Sequence, residues 1–196
     1  QEGCNRNDVE DYVGINGVEQ YIGDQAVAEG FSFSCTDEMS GKKVAIIGGG
    51  PAGMSAAYQL RKLGHASVIF ESHDKLGGMM RFGIPSYRTP DAYLDPEIQR
   101  ILDMGHIEVK LNTTIGKDIP AKSIEEDYDA VLWAIGCWTG RDLPVPNSDA
   151  PNCISAIQYL EASRQKRLHV TAKKVVCIGA VSYTHLRAHE TDSYLV

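Results

Sequence analysis

Residues 42–64 read KKVAIIGGGPAGMSAAYQLRKLG, and this stretch decides the fold class. The unbroken apolar run 44–47 fits a strand buried on both faces of a parallel sheet. Glycines follow, then Gly53, Ala56, Ala57, Leu60 and Leu63 recur at helical spacing until Gly64 stops the helix. Residues 68–71 form the next strand, so the stretch is a βαβ unit. Its turn, Gly48-x-Gly50-x-x-Gly53, matches the dinucleotide fingerprint. Gly48 permits the tight turn, Gly50 lets the backbone approach a pyrophosphate, and Gly53 lets the helix pack close to the strand. The helix start adds free N–H groups and the positive end of its dipole. Glu71, at the end of the second strand, is placed to accept both hydroxyls of a ribose. FAD and NAD share this fingerprint, so the turn alone does not choose between them.

Outward from the turn, β and α patterns alternate. Residues 76–90, LGGMMRFGIPSYRTP, are too rich in Gly and Pro for a regular element and too apolar for a solvent loop. Such a loop either covers a flat ring system or simply connects. Asp95-Pro96-Glu97 predicts a helix start, with Asp95 as cap and Pro96 at the first helical position. Ile98, Ile101 and Leu102 line that helix, and Ile107, Val109 and Leu111 alternate as in a half-buried strand. Residues 130–135 form a continuous apolar strand ending at Gly136, 156–165 a helix, and 175–178 a last strand. The class is therefore α/β with a mainly parallel, Rossmann-like sheet. Upstream, Asn16 and Glu19 resemble a capping box for a helix over 16–29, with Val18, Ile22 and Ala26 on one face and Gly30 as its stop. Residues 35–43, CTDEMSGKK, read as a linker.

The chain has 196 residues, 43% hydrophobic and 23% charged, which suits a soluble globular protein with a buried core. With a net charge of -7 and no Lys/Arg cluster, nucleic acid is excluded as a partner. No apolar run approaches the roughly 20 residues of a membrane helix. Cysteines stand at 4, 35, 137, 153 and 177, with no CxxC pair and an odd count. That points to a reducing compartment, the cytoplasm, rather than a disulfide framework. Cys137 reads as a packed core cysteine and His65 as solvated. His185 and His189 have metal-ligand spacing but lack a third ligand. No Ser–His–Asp or paired-carboxylate constellation is present.

The run VAIIGGGPAG…FES…LGGMMRFGIPSYR strongly resembles the flavin domain of the glutamate synthase small subunit. That family of FAD-dependent NAD(P)H oxidoreductases includes the N-terminal flavin half of dihydropyrimidine dehydrogenase. The likeness covers roughly residues 4–180, and the pairing of GGGPAG with GG…GIPxYR is specific to it. By this resemblance Gly48, Gly50, Pro51, Ala52 and Gly53 face the FAD pyrophosphate, and Glu71 holds the adenosine ribose with Ser72 beside it. Gly78 and Met79 lie along the flavin, and Arg88 reaches the cofactor. Thr114 and Ile115 of LNTTIG meet the adenine side, and Gly136 of AIGCWTG approaches FAD where the chain crosses between domains.

The resemblance also implies a domain plan. Residues 1–34 are similar to the end of a helical iron–sulfur domain, which makes Cys4 a candidate [4Fe–4S] ligand of the complete protein. Residues 42–172 are the FAD-binding domain. Residues 173–180, KKVVCIGA, echo 42–49 and would open the NAD(P)-binding domain, whose turn does not follow. Residues 181–196 resemble a translated adaptor tail and are expected not to be natural sequence. The implied activity carries electrons from NAD(P)H through FAD and iron–sulfur clusters to a larger catalytic subunit or a ferredoxin-type acceptor. The rival readings are an NAD-dependent dehydrogenase with its own small-molecule substrate, and an inactive FAD-binding fragment.

Overall fold

The computed structural model describes residues 5–9, 13–36, 38–140, 144–167 and 173–178. After a 3-10 turn at Asn5–Asp8 and helix α1 (Ile15–Ala28), the chain enters a parallel sheet. Strand β1 (Lys43–Ile47), helix α2 (Pro51–Lys62) and strand β2 (Ala66–Phe70) form the βαβ unit. The helical turn α3 (Met79–Phe82), helix α4 (Asp91–Leu102), strand β3 (Ile107–Lys110), helix α5 (Ala121–Asp127), strand β4 (Ala130–Trp133) and helix α6 (Ala156–Arg164) follow. The sheet order is β3-β2-β1-β4, every pair parallel. The α/β class and the parallel Rossmann-like sheet are as the sequence predicts.

The two central strands are buried on both faces, which is why they carry no alternation. One face, with Val44, Ile46 and Ile69, packs on Met54 and Ala57 of α2 and on Ile98, Ile101 and Leu102 of α4. The opposite face, with Ala45, Ile47, Val68 and Phe70, packs on Ile124 of α5 and on Ile115, Ile119 and Tyr128. The result is three layers, helix on sheet on helix.

Several local expectations give way to tertiary forces. α4 begins at Asp91, with Pro90 at the N-cap position and no side-chain cap, and Pro96 lies inside it rather than at its start. The start of α4 is tied to the body by Arg81, which pairs with both Asp91 and Asp95, and by Arg164, which also pairs with Asp91. α1 starts after Gly14 with no side-chain cap, so the Asn16–Glu19 box does not form. None of its residues is buried, and Val18 and Ile22 are exposed, because the helix meets the body chiefly through α4. Leu63 is exposed at the end of α2; Arg61 is buried there instead, donating to the carbonyls of Met104 at 3.0 Å and Thr36 at 2.8 Å.

Those bonds, with Ser40 N–H donating to the Gly64 carbonyl at 2.9 Å, bind the presumed linker to the domain. His65 is half-buried and lies 2.6 Å from the Ser40 hydroxyl rather than being free in solvent. Residues 174–178 form no strand, since no described strand lies beside them to complete a ladder, and Val175, Val176 and Ile178 are exposed. The domain boundaries drawn from the resemblance remain a proposal. Cys4 and residues 181–196 lie outside the described residues.

Candidate functional site

The carboxyl ends of β1, β2 and β4 open on one cleft of about 710 Å³. It sits where the strand order reverses, between β1 and β4, the position at which open α/β sheets take their ligands. The glycine turn forms one wall. Gly48 has φ 113°, and a Cβ on it would overlap the Ala134 carbonyl oxygen. A Cβ on Gly53 would overlap the Gly48 carbonyl oxygen and lie 3.2 Å from Ile46 Cγ2, so α2 seats against the turn only with glycine there.

Gly50 is different. Its φ of -80° and ψ of -173° are open to any residue, and the nearest atom to an added Cβ is Gly78 Cα at 3.6 Å, an ordinary contact. The fold makes no demand for glycine at 50, yet Gly50 lines the cleft. It is also the N-cap of α2 and supplies no side-chain cap. The first-turn N–H groups therefore have neither intrahelical acceptors nor a cap, which suits an anion in the cleft.

Glu71 is buried at the end of β2, not an exposed strand-end carboxylate. Its Oε2 accepts the Gly49 N–H at 2.7 Å, which ties the acid to the turn. Its Oε1 accepts the His73 N–H at 2.9 Å and the Ser72 hydroxyl at 3.2 Å, and lies 2.8 Å from His73 Nδ1. Burial pushes the Glu71 pKa up, but the bonds from the His73 ring and backbone and from Gly49 outweigh it and hold the carboxyl below its usual value. His73 moves the other way. Its bond to Glu71 raises it against the effect of burial, helped by the charges of Glu71 and Glu161.

The other walls are built from three loops. Thr113 N–H donates to the Glu71 carbonyl at 2.8 Å and Asn112 N–H to the His73 carbonyl at 2.9 Å, which sets Thr113, Thr114 and Ile115 along the rim. Gly77 N–H donates to the Gly49 carbonyl at 2.8 Å, and Gly78 abuts Gly50, which brings Met79 to the cleft. The stretch 76–90 is thus partly regular: it holds α3, with Leu76, Arg81 and Phe82 buried. Beyond β4, residues 134–138 complete the enclosure.

Gly48, Gly50, Pro51, Ala52, Glu71, Ser72, Gly78, Met79, Thr114, Ile115 and Gly136 all line this cleft. Gly53 is buried beside it in α2. Arg88 does not join them: it is exposed on a turn closed by its own N–H to the Pro85 carbonyl, which carries it away from the walls. Cys137 lines the cleft and is exposed, not packed in the core, because it follows an edge strand. Sequence reasoning missed His73, Trp133, Trp138 and Glu161, which also line the cleft. His73 and Trp138 each stand two residues beyond a predicted site residue, a proximity that could have nominated them. Glu161 arrives from α6 by tertiary packing, for which the sequence carries no local signal. Among the described residues no group of three or more His, Cys, Asp or Glu could hold a metal. No helix among them is long and apolar enough to cross a membrane.

A parallel sheet with a glycine turn at its switch point and a buried acid ending β2 defines a dinucleotide-binding α/β protein. The family model for pyridine nucleotide-disulphide oxidoreductase matches residues 42–183, and the chain belongs to that family. It is similar to glutamate synthase [NADH] of Schizosaccharomyces pombe, 39% identical over 168 residues that cover 84% of this chain and 8% of that protein. It is also similar to the glutamate synthase [NADPH] small chain of Escherichia coli, 35% identical over 164 residues, 83% of this chain and 34% of that one. The solved structure of Mycobacterium tuberculosis FprA in complex with NADPH shares the fold, with a TM-score of 0.58 and 23% identity over 62% of this chain and 28% of that one. The likeness to the glutamate synthase small-chain family, read from the motifs, is borne out. The chain spans only a minor part of these curated relatives.

Proposed function

We propose that this chain is the flavin-binding part of an NAD(P)H-dependent oxidoreductase of the glutamate synthase small-chain type. The observation that carries the reading is Gly50: a glycine the fold does not need, at the uncapped start of α2, on the wall of a switch-point cleft. The motif resemblance supports FAD as the dinucleotide, and the similarity to chains named glutamate synthase [NADH] and [NADPH] supports NAD(P)H as the donor.

In this reading the Gly48–Gly53 turn, with Pro51 and Ala52, receives the pyrophosphate, and Glu71 beside Ser72 accepts a ribose hydroxyl. Thr114 and Ile115 border the adenine, while Gly78, Met79 and Gly136 border the ring system. The flavin supplies hydride acceptance and single-electron release, so no side-chain acid–base pair is needed. The chain's own residues bind, orient and exclude water. In the complete protein electrons leave through iron–sulfur clusters, for which Cys4 stays a proposed ligand, to a larger catalytic subunit or a ferredoxin-type acceptor. The cysteine usage supports a cytoplasmic setting.

The test is the visible absorbance spectrum of the purified chain before and after adding FAD. A bound-flavin spectrum that Glu71→Ala weakens supports the reading. A folded chain that binds NAD and no flavin overturns it in favour of a simple dehydrogenase.

A further inference from the structure

His73 belongs to no sequence motif, yet it lines the cleft between two carboxylates, Glu71 and Glu161. Its ring stacks on Phe82 with centroids 4.3 Å apart and lies 5.0 Å from Trp138. Its two nitrogens point in different directions, each at a carboxylate. Nδ1 is 2.8 Å from Glu71 Oε1, at the end of β2, and Nε2 is 3.5 Å from Glu161 Oε1, on α6. A neutral imidazole has one N–H donor and one lone pair, so one of these contacts would set a lone pair against an anion. An imidazolium satisfies both.

Resting on the flavin-site reading, we propose that His73 is a positioning residue: as an imidazolium it clasps Glu71 to Glu161, fixing the ribose-binding carboxylate and holding α6 against the cleft. The clasp has a consequence for recognition. Glu71 Oε1 is already filled by the His73 ring, the His73 N–H and the Ser72 hydroxyl, whereas Oε2 has one partner, Gly49. Glu71 therefore offers one open lone pair to one ribose hydroxyl, not a matched pair to the diol. The charged groups facing His73 are Glu71 and Glu161; Arg167 shares Glu161 Oε1 at 3.3 Å from the exposed side and weakens that arm. Phe82 and Trp138 flank the ring without charge.

His73 is raised from 6.5 in the folded chain, so the clasp is complete below that value and is lost as pH rises through the folded-state pKa. The experiment has two readouts on the full chain. The first needs no flavin: the imidazole carbon–proton resonances are titrated by NMR, and His73 is assigned by the signal missing in His73→Gln. The expected midpoint lies above 6.5, and Glu161→Gln lowers it. The second is the FAD dissociation constant between about pH 6 and 9. Affinity falls up to about tenfold on crossing the His73 midpoint, the ratio carried by one unit of differential protonation. His73→Gln, which keeps an N–H donor for Glu71 but no charge, gives a flat profile.

A His73 midpoint at or below 6.5, or one indifferent to Glu161→Gln, overturns the clasp whatever the flavin does. So does a wild-type affinity profile as flat as that of His73→Gln. A chain that titrates as expected but binds no FAD supports the clasp and overturns the proposed function instead.

Discussion

Gly50 and Gly53, three residues apart in one turn, make opposite demands, and a pair of substitutions separates fold from ligand. In Gly53→Ala the new Cβ meets the Gly48 carbonyl oxygen, a backbone atom, with Ile46 Cγ2 at 3.2 Å behind it. The turn must shift or α2 must lift, and overpacking of this kind costs about 1–3 kcal/mol. In Gly50→Ser the Cβ has 3.6 Å to its nearest neighbour on a backbone any residue adopts. Serine is a slightly better N-cap than glycine, by a few tenths of a kcal/mol. Removing glycine's freedom from the unfolded chain adds about 0.4–1 kcal/mol. The apo chain should therefore melt about 2–4 °C higher in Gly50→Ser, on a scale of roughly that rise per kcal/mol, and several degrees lower in Gly53→Ala. The same serine hydroxyl takes a first-turn N–H that a phosphate oxygen would use. A charge-assisted bond of about 1.5–3 kcal/mol is lost, and FAD affinity drops about 10–100-fold. Apo thermal melts and flavin titrations read the two effects independently. If Gly50→Ser destabilises the apo chain as much as Gly53→Ala, the geometry drawn for the turn is wrong. If it is stable and binds FAD within twofold of wild type, no phosphate sits at α2.

Two further outcomes follow from the polar network. Because the folded-state pKa of Glu71 lies below 4.5, its contribution to stability is present above that value and is lost as pH falls through the lowered one. Melting temperature measured between about pH 3 and 6 should therefore fall less steeply in Glu71→Gln than in wild type, and parallel curves would contradict the assignment. Arg164 donates to the carbonyls of Arg81 and Thr89 and to Asp91, pinning α6. Its side chain is mostly buried but Asp91 is half in solvent, so Arg164→Ala should cost about 1–2 kcal/mol, between a surface and a buried pair. Amide exchange should accelerate along α6 and not along β1; uniform acceleration would show that α6 is not a separate unit.

The part of the fold legible in the sequence is the part made of local patterns with one solution. KVAII, the glycine turn, the helix after it and ASVIF each satisfy a short-range rule, and together they fix strand, turn and parallel return. The turn glycines and Glu71 were legible as cleft residues for the same reason, since each sits at or just beyond a strand end, whereas Thr114 and Ile115 of LNTTIG came from the family resemblance. The illegible part was decided by long side chains acting across the sequence. Arg81 and Arg164 hold the turn of α4 that precedes Pro96, and Arg61 takes a buried place on α2 that periodicity gave to Leu63. No spacing rule contains those bonds, because their partners lie from ten to more than 80 residues away.

Strand β4 shows what an apolar run does and does not report. Residues 130–135 read as a strand covered on both faces, and the ladder to β1 forms as that pattern requires. Yet β4 is the edge of the described sheet, with Leu132, Trp133 and Ile135 exposed. Hydrophobicity along a strand states how much cover it favours, and the described residues supply that cover chiefly from the β1 side. The carboxyl end of β4 also serves the cleft. Trp133 and residues 134–138, at and just beyond the end of β4, line the cleft, so Gly136, Cys137 and Trp138 share it with the glycine turn. The same segment sets the Trp138 ring beside His73, with centroids 5.0 Å apart. The carboxyl end of β4 is therefore part of how the site is built.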